Sequence, residues 1–150
     1  MGGAAKMTNK LKILFLCTGN SCRSQMAEGW TRHLKGDQID VYSAGIETHG
    51  LNPHAVSVMA EAGVDISGQK STRVSDYTSQ NFDYVITVCS NANETCPFFP
   101  GLTSRVHMGF DDPPKMAEAF QSPEEKLDCY RKVRDEIKEY VLSLPESLTR

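Results

Sequence analysis

Residues 11–17, LKILFLC, form a short apolar run that is followed at once by a small polar turn and then by a helical pattern. A run of this length, rich in branched and aromatic residues, predicts a strand buried on both faces, the type found in parallel sheets. Gly19 marks the turn, and apolar residues recur at helical spacing from Ser24 to near Gly36. This strand–turn–helix unit indicates an α/β architecture.

Strands and helices alternate along the rest of the chain. Strands are predicted at 39–46, 82–89 and 105–108, and helices at 53–62 and 122–144. The alternation predicts a three-layer, doubly wound sheet of four parallel strands flanked by helices. In such sheets ligands bind at the carboxyl ends of strands, near a switch in strand order. Cys17 and Cys89 both end predicted strands, so we expect them to face the same crevice.

Length and charge limit the class of protein. The 150 residues predict a single domain over 11–150, preceded by a flexible N-terminal extension or an expression remnant over 1–10. The net charge of −3 argues against a general nucleic-acid binder, but it leaves room for a small anionic substrate. The sequence has no apolar run near the roughly 20 residues that span a bilayer, and its start lacks the apolar segment of a signal peptide. We expect a cytoplasmic monomer without nucleic-acid or membrane partners.

Five cysteines stand at positions 17, 22, 89, 96 and 129. A structural disulfide framework is not expected in a reducing compartment. The cysteine spacings and the scattered histidines do not match a zinc site, so no metal is predicted. Nucleophilic or redox-active thiols are the better interpretation, whereas Cys129, beside the apolar stripe of the last helix, is expected to be inert.

The stretch CTGNSCRS at 17–24 has the composition of an anion-binding loop. A loop entering a helix N-terminus directs backbone N–H groups at a tetrahedral oxyanion, and the guanidinium of Arg23 can bind two of its oxygens side by side. Gly19 permits a positive φ angle in this turn, and Asn20 tolerates one. The predicted oxyanion-binding residues are Thr18, Gly19, Asn20, Ser21, Cys22, Arg23 and Ser24.

The nucleophile predicted by this loop is Cys17. Helix N-termini and neighbouring cations lower a thiol pKa from about 8.5 to between roughly 3.5 and 7.5, so a thiolate is expected. The hydroxyl of Ser24 is expected to donate a hydrogen bond to the sulfur. A thiolate in this position can attack the central atom of a bound oxyanion.

CTGNSCRS resembles the active-site loop of the low-molecular-weight protein tyrosine phosphatases and of the related thioredoxin-coupled arsenate reductases. The resemblance extends to SAG at 43–45, to a second cysteine pair and to DDP at 111–113. It implies a phosphatase-like fold and one of two activities. A phosphatase forms a thiophosphate at its loop cysteine and hydrolyses it, whereas a reductase needs further thiols to release arsenite.

The stretch CSNANETC at 89–96 favours the reductase. By the same resemblance Cys17 attacks arsenate, Cys89 forms a Cys17–Cys89 disulfide, and Cys96 converts it to a Cys89–Cys96 disulfide that thioredoxin reduces. The resemblance implies no bound cofactor. If the segment is helical its ends lie roughly 10 Å apart, and a disulfide, with its limit of about 7 Å, requires the segment to unwind. Two ordinary buried thiols remain the alternative.

The stretch GFDDPPK bears on the same choice. The resemblance places a general acid just before proline, which implies Asp112, whereas Asp111 is expected to cap or solvate the turn. Pro114 and Lys115 stand where the phosphatases carry an aromatic pair that grips the phosphotyrosine ring. Gln25 stands where they carry a proline. Both departures favour the reductase.

Some of these reductases resemble one another in a potassium site beside the loop. Asn20, Glu28 and Ser43 match three of its positions. Lys70 and Thr72 fall where a hydroxyl and an acid are expected. The ammonium group of Lys70 either replaces the potassium ion or is a solvated surface charge.

The main prediction is an arsenate reductase that converts arsenate to arsenite, with phosphate or sulfate as a substrate mimic. The alternatives are a low-molecular-weight phosphatase and a non-catalytic oxyanion sensor, and a sensor needs no series of three thiols. Cys22 either pairs with Cys17 under oxidation or, as we prefer, packs behind the loop.

Overall fold

The computed structural model describes residues 10–97, 99 and 103–148, so all but the last residue of the predicted extension at 1–10 lies outside the described residues. The four strands are β1 (Leu11–Cys17), β2 (Ile39–Gly45), β3 (Tyr84–Thr87) and β4 (Ser104–His107). The helices are α1 (Arg23–Lys35), α2 (Pro53–Glu61), α3 (Ser90–Thr95), α4 (Pro113–Ala117) and α5 (Pro123–Leu142). All strand pairs are parallel, which confirms the predicted fold class.

The strand β1 lies inside the sheet, between β2 and β3. It pairs with β2 from Leu11 opposite Ile39 to Cys17 opposite Gly45. Its fully buried residues are Ile13, Leu14, Phe15 and Leu16. Both faces of the strand are covered, which explains why this part of the run contains no polar residue.

The strand order β2-β1-β3-β4 creates a switch point between β1 and β3, because the chain builds β2 on one side of β1 and β3 on the other. Cys17 is the last residue of β1, and Cys89 lies just beyond the end of β3. Both thiols therefore lie at the carboxyl ends of neighbouring strands, where ligands bind in this architecture. Both were predicted to face one crevice; they lie at the same end of the sheet, but the cavity described below is lined by Cys17 and not by Cys89.

The helices begin and end at residues suited to a helix boundary. Asn52 Oδ1 accepts hydrogen bonds from the N–H groups of His54 and Ala55 at the start of α2. Gly63, just after that helix, has a φ of +89°. Ser122 Oγ accepts from the N–H groups two and three residues further on, at the start of α5. The predicted boundaries agree with these caps.

The apolar stripe predicted for the last helix packs in the core. Its buried members are Tyr130, Val133, Ile137, Val141 and Leu144. Trp30 of α1 contributes to the same core, and its Nε1 donates to the carbonyl of Arg134 at 3.1 Å. Cys129 is buried beside the stripe, as expected of a structural thiol. Among the described residues, no helix is both long and apolar enough to cross a membrane.

Two local predictions differ from the structure. The strand predicted over 82–89 covers only Tyr84–Thr87, because the Asp83 carboxylate accepts from the N–H of Lys12 at 2.8 Å just before the strand begins. The helix α4 was not predicted. It opens with two prolines, which fit the first helical positions because N–H groups there have no partner within the helix.

Replacing Asn52 with Ala should lower the free energy of unfolding by about 1 kcal/mol, because α2 loses its cap acceptor. Asn52→Asp keeps an acceptor oxygen and is the matched control. Urea unfolding of both variants measures the difference. Equal stability of the two variants would contradict the capping role.

Candidate active site

The loop between β1 and α1 closes around a cavity of about 290 Å³. Its lining residues are Cys17, Thr18, Gly19, Ser21, Cys22, Arg23, His49, Asp112 and Pro114. The structure thus brings the predicted nucleophile, arginine and acid together in one pocket. Asn20 and Ser24, also predicted to bind the oxyanion, are fully buried and lie outside this lining.

The loop turns at Asn20, whose φ of +49° is in the left-handed region. Its Oδ1 accepts from the N–H of Thr72 at 2.7 Å. Its Nδ2 donates to Ser24 Oγ at 2.8 Å and to Ser43 Oγ at 3.0 Å. These three bonds occupy both ends of a buried amide and hold a backbone conformation that is uncommon outside glycine.

Gly19 is required for a different reason than the one predicted, because a positive φ is found at Asn20 and not at Gly19. A Cβ atom at Gly19 would collide with Nδ1 of His49, whose ring packs over the glycine. The N–H of His49 donates to the carbonyl of Gly19 at 2.9 Å. Sequence reasoning missed His49, because a single histidine in a polar segment carries no spacing signal.

Two residues in the first turn of α1 hold the loop from behind. Ser24 Oγ accepts from Asn20, in place of the predicted bond to the sulfur of Cys17. Gln25 Nε2 donates to the carbonyls of Asn20 at 2.9 Å and Lys70 at 3.0 Å. In the sequence, Gln25 was noted only because it stands where the phosphatases carry a proline. A buried glutamine amide needs hydrogen-bond partners, and sequence reasoning did not identify them.

Arg23 keeps part of its hydrogen-bonding capacity for a ligand. Its Nη1 donates to the carbonyl of Phe110 at 2.9 Å, and its Nη2 lies 3.7 Å from Asp112 Oδ1. Its Nε is buried and has no partner among the described residues. Leaving such a donor unpaired is costly, which favours binding of an anion. Asp112 precedes α4 but its side chain does not cap that helix, so the carboxylate is available to the cavity.

The thiols of Cys17 and Cys89 lie close enough for each to shift the pKa of the other. Cys89 Sγ also lies 3.2 Å from Thr18 Oγ1 and accepts from the N–H of Ala92 at 3.4 Å. Asn91 Nδ2 in turn donates to Thr18 Oγ1 at 3.2 Å. A loop hydroxyl and a helix N–H group therefore converge on the sulfur of Cys89.

These bonds reverse the expected order of the two thiol pKa values. The hydrogen bond from Cys17, helped by those from Thr18 and Ala92, lowers the pKa of Cys89 to about 5 despite burial. The hydrogen bond with Cys89 and burial raise the pKa of Cys17, although the charge of Arg23 opposes them. The prediction of a lowered pKa at Cys17 is therefore wrong for this structure. The two thiols titrate together, and their contacts favour the thiolate of Cys89 over that of Cys17.

Cys96 is half-buried and follows the end of α3, and burial raises the pKa of its thiol. Since 90–95 is helical, the two ends of the segment lie roughly 10 Å apart. That separation exceeds the limit of about 7 Å for the Cα atoms of a disulfide. All five cysteines are free thiols here. Joining Cys89 to Cys96 therefore requires α3 to unwind, as the sequence predicted for a helical segment.

Cys22 lies in the cavity wall and is only 5% exposed. Burial raises its pKa to about 12, although the charge of Arg23 opposes the rise. Cys22 is therefore a neutral thiol, but it lines the cavity and does not pack behind the loop as the sequence predicted.

Residues 12–150 match the family model of the low molecular weight phosphotyrosine protein phosphatases. The chain belongs to this family. It is 52% identical over 139 residues to an arsenate reductase of Halalkalibacterium halodurans, covering 93% of this chain and 98% of that protein. It is 53% identical over 131 residues to an arsenate reductase of Bacillus subtilis, covering 87% and 91%. A solved structure of an arsenate reductase in the phosphate binding state aligns with a TM-score of 0.69 at 31% identity, covering 93% and 99%. The resemblance predicted from the sequence is confirmed.

The three residues that match the potassium site of some family members form a hydrogen-bonded chain. Asn20 Nδ2 donates to Ser43 Oγ, which donates to Glu28 Oε1 at 2.5 Å. Arg32 Nη2 lies 2.6 Å from Glu28 Oε2, so the cation on this carboxylate is Arg32. Lys70, predicted as either a replacement cation or a surface charge, is exposed and enters the network through its backbone carbonyl.

A cavity of about 500 Å³ lies beside this chain and is larger than the one at the loop, but its lining contains no thiol. We therefore place the chemistry at the smaller cavity, where nucleophile, guanidinium and carboxylate meet. No group of three or more His, Cys, Asp or Glu side chains that could hold a metal ion occurs in the described part of the chain.

Alkylation of the reduced protein by iodoacetamide should modify Cys89 at a rate that rises with pH through a midpoint near 5, the lowered pKa of this thiol. Cys17→Ala removes the leading cause of that lowering and should move the midpoint to higher pH. Peptide mass spectrometry at each pH measures both. Cys129→Ala is the control and should leave the midpoint unchanged. A midpoint near the ordinary thiol value of about 8.5 in the unmodified protein would refute the assignment.

Proposed function

We propose that this protein is an arsenate reductase that converts arsenate to arsenite with two electrons from its own thiols. One observation carries the proposal: Cys89 Sγ lies 3.2 Å from the hydroxyl of Thr18, the residue after Cys17 in the anion loop, and Cys89 precedes a short helix that Cys96 follows. A phosphatase needs only the thiol of Cys17. The relatives that are 52% and 53% identical are named arsenate reductases, which favours the same activity.

The first step is attack by the Cys17 thiolate on arsenic. Because the thiols of Cys17 and Cys89 titrate together, transfer of the Cys17 proton to Cys89 supplies that thiolate. Arg23 and the loop N–H groups hold the arsenate oxygens while an As–S bond forms and an As–O bond breaks. The departing oxygen leaves as water after it accepts a proton, and Asp112 is the proposed acid.

The second step releases arsenite. Cys89 releases its proton to solvent and, as a thiolate in contact with the Thr18 hydroxyl, attacks the sulfur of Cys17. An S–S bond forms, and the As–S bond breaks with its electron pair retained on arsenic, which becomes As(III). Cys96 then attacks Cys89, which frees Cys17 and leaves a Cys89–Cys96 disulfide.

We propose thioredoxin as the dithiol that reduces this last disulfide by exchange, so that no bound cofactor takes part. Cys96 is more exposed than Cys17 or Cys89, which supports its role as the thiol nearest the donor. The chemistry requires a reducing compartment, which supports the cytoplasm. We propose a monomer with a single reductase domain over 11–150, and the family match over residues 12–150 supports the single domain.

Residual phosphatase activity toward aryl phosphates is a second candidate, because Cys17, Arg23 and Asp112 suit phosphate as well as arsenate. A related arsenate reductase has been solved in a phosphate binding state, which supports phosphate as a mimic here. Pro114 lies in the cavity lining and Lys115 follows it, so the aromatic pair that grips phosphotyrosine is missing from these positions. The substrate preference should therefore lie with the bare oxyanion.

Thioredoxin-dependent arsenite formation should fall to background, by more than about a thousandfold, in each of Cys17→Ser, Cys89→Ser and Cys96→Ser, because each removes a thiol from the series. Hydrolysis of an aryl phosphate should be lost only in Cys17→Ser. Cys129→Ser is the matched control for both assays. Full arsenate turnover in the Cys89 and Cys96 variants would rule out the proposed reductase.

Formation of the Cys89–Cys96 disulfide should speed amide hydrogen exchange over 90–95 by at least about tenfold, because the helix must open to bring the sulfurs together. Hydrogen exchange with mass spectrometry compares the reduced and oxidised protein. Exchange over 53–61 should stay the same and serves as the internal control. Equal protection of 90–95 in both states would contradict the unwinding.

A further inference from the structure

We propose that His49 binds the substrate oxyanion, donating a hydrogen bond from its ring to an oxygen at the mouth of the cavity. The inference rests on the proposed function and adds a residue to it. His49 lies between β2 and α2, outside the loop motif, yet it is part of the cavity lining.

The backbone fixes the position of His49 relative to the loop. Its N–H donates to the carbonyl of Gly19 at 2.9 Å, and the N–H of Glu47 donates to the carbonyl of Thr18 at 2.9 Å. The segment that carries His49 therefore runs alongside the loop. A ring attached to this segment moves with the anion-binding backbone and keeps its distance from a bound oxyanion.

The two ring nitrogens have different surroundings. Nε2 lies 3.3 Å from Glu47 Oε2, which holds the ring at its outer edge. Nδ1 is the ring atom nearest the position of a Cβ on Gly19, so it faces the loop. With both nitrogens protonated, the ring donates to Glu47 through Nε2 and to an anion held by the loop through Nδ1.

The exposed fraction of its side chain shows that His49 lies at the mouth of the cavity. Its side chain is 53% exposed, compared with 12% for Arg23. Asp112, at 41%, is the other titratable side chain at the mouth. Arg23 thus reaches the inner oxygens of a bound oxyanion, whereas Asp112 and His49 reach the oxygens that point outward.

The charges around the cavity favour a second hydrogen-bond donor to the oxyanion, in addition to Arg23. The guanidinium of Arg23 already lies near Asp112 and near the favoured thiolate of Cys89. An incoming arsenate anion adds further negative charge. Among the described residues of the lining, His49 is the other side chain able to carry a positive charge. A donor of this kind strengthens binding of the anion without taking part in the attack on arsenic.

The competing explanation is that the His49 ring only fills space over Gly19, and two substitutions separate the explanations. His49→Asn keeps an amide N–H group near the position of Nδ1 but leaves the space partly unfilled. His49→Leu keeps an apolar side chain over Gly19 but has no donor. A binding role predicts that Asn is tolerated and Leu is harmful, whereas a packing role predicts the reverse.

Calorimetric titration of the reduced protein with inorganic phosphate measures the binding directly. His49→Leu should weaken phosphate binding by about tenfold or more, because a hydrogen bond to a charged group is lost, and His49→Asn should stay within about threefold of the unmodified protein. The KM for arsenate should follow the same order, with kcat changed by less than about threefold. His33→Leu, on the exposed side of α1, is the control.

Unchanged phosphate affinity in His49→Leu, or a greater loss in His49→Asn than in His49→Leu, overturns the inference. If His49→Leu does not fold, His49→Asn and Glu47→Gln are compared in its place. A binding role predicts near-normal phosphate affinity for His49→Asn and weaker phosphate binding for Glu47→Gln. Phosphate binding requires no turnover. A failure of this inference therefore leaves arsenate reduction intact, and a failure of arsenate reduction leaves the phosphate result valid.

Discussion

The pairing of β1 with both β2 and β3 is the constraint on which the rest of the site depends. It places Leu16 opposite Thr87, so the chain leaving β3 reaches the level of Cys17 within two residues. A slip of one residue would turn the buried side chains to the wrong face of the sheet, which the covered core does not allow. The parallel register therefore sets the distance between two thiols that are far apart in the sequence.

The conformation of the anion loop that follows this strand is fixed by hydrogen bonds to other parts of the fold as well as by bonds within the loop. Asn20 receives hydrogen bonds from Thr72 and Gln25, and it donates to Ser24 and Ser43. These partners come from α1, from β2 and from the segment that follows α2. Donors fixed in this way need no rearrangement when charge develops on an oxyanion, which is the main source of electrostatic catalysis.

The sequence predicted the features that depend on residues close together in the chain. The buried strand, the loop and the helix that begins at Pro53 follow from spacing and residue type, and the structure places them as expected. The acid before Pro113 came from the family resemblance alone. The structure brings Cys17, Arg23 and Asp112 into one cavity.

The features that depend on tertiary contacts could not be predicted. His49 reaches the cavity because its segment bonds to the loop backbone, and no local pattern encodes that contact. The order of the thiol pKa values depends on which sulfur receives the N–H of Ala92 and the hydroxyl of Thr18. The loop motif predicts a lowered pKa at Cys17, whereas the contacts in the folded protein lower the pKa of Cys89 instead.

The short helix α3 has a consequence for the timing of the reaction. At six residues it is below the length that an isolated helix sustains, and its first free N–H groups include that of Ala92, which is bonded to the sulfur of Cys89. In the proposed reaction this sulfur enters a disulfide with Cys17, where it carries no negative charge and is a poor acceptor. The helix is then weakened at the step at which Cys96 must approach. A single sulfur atom is both the cap of the helix and the reactant, so the covalent step itself releases the segment that the next step needs.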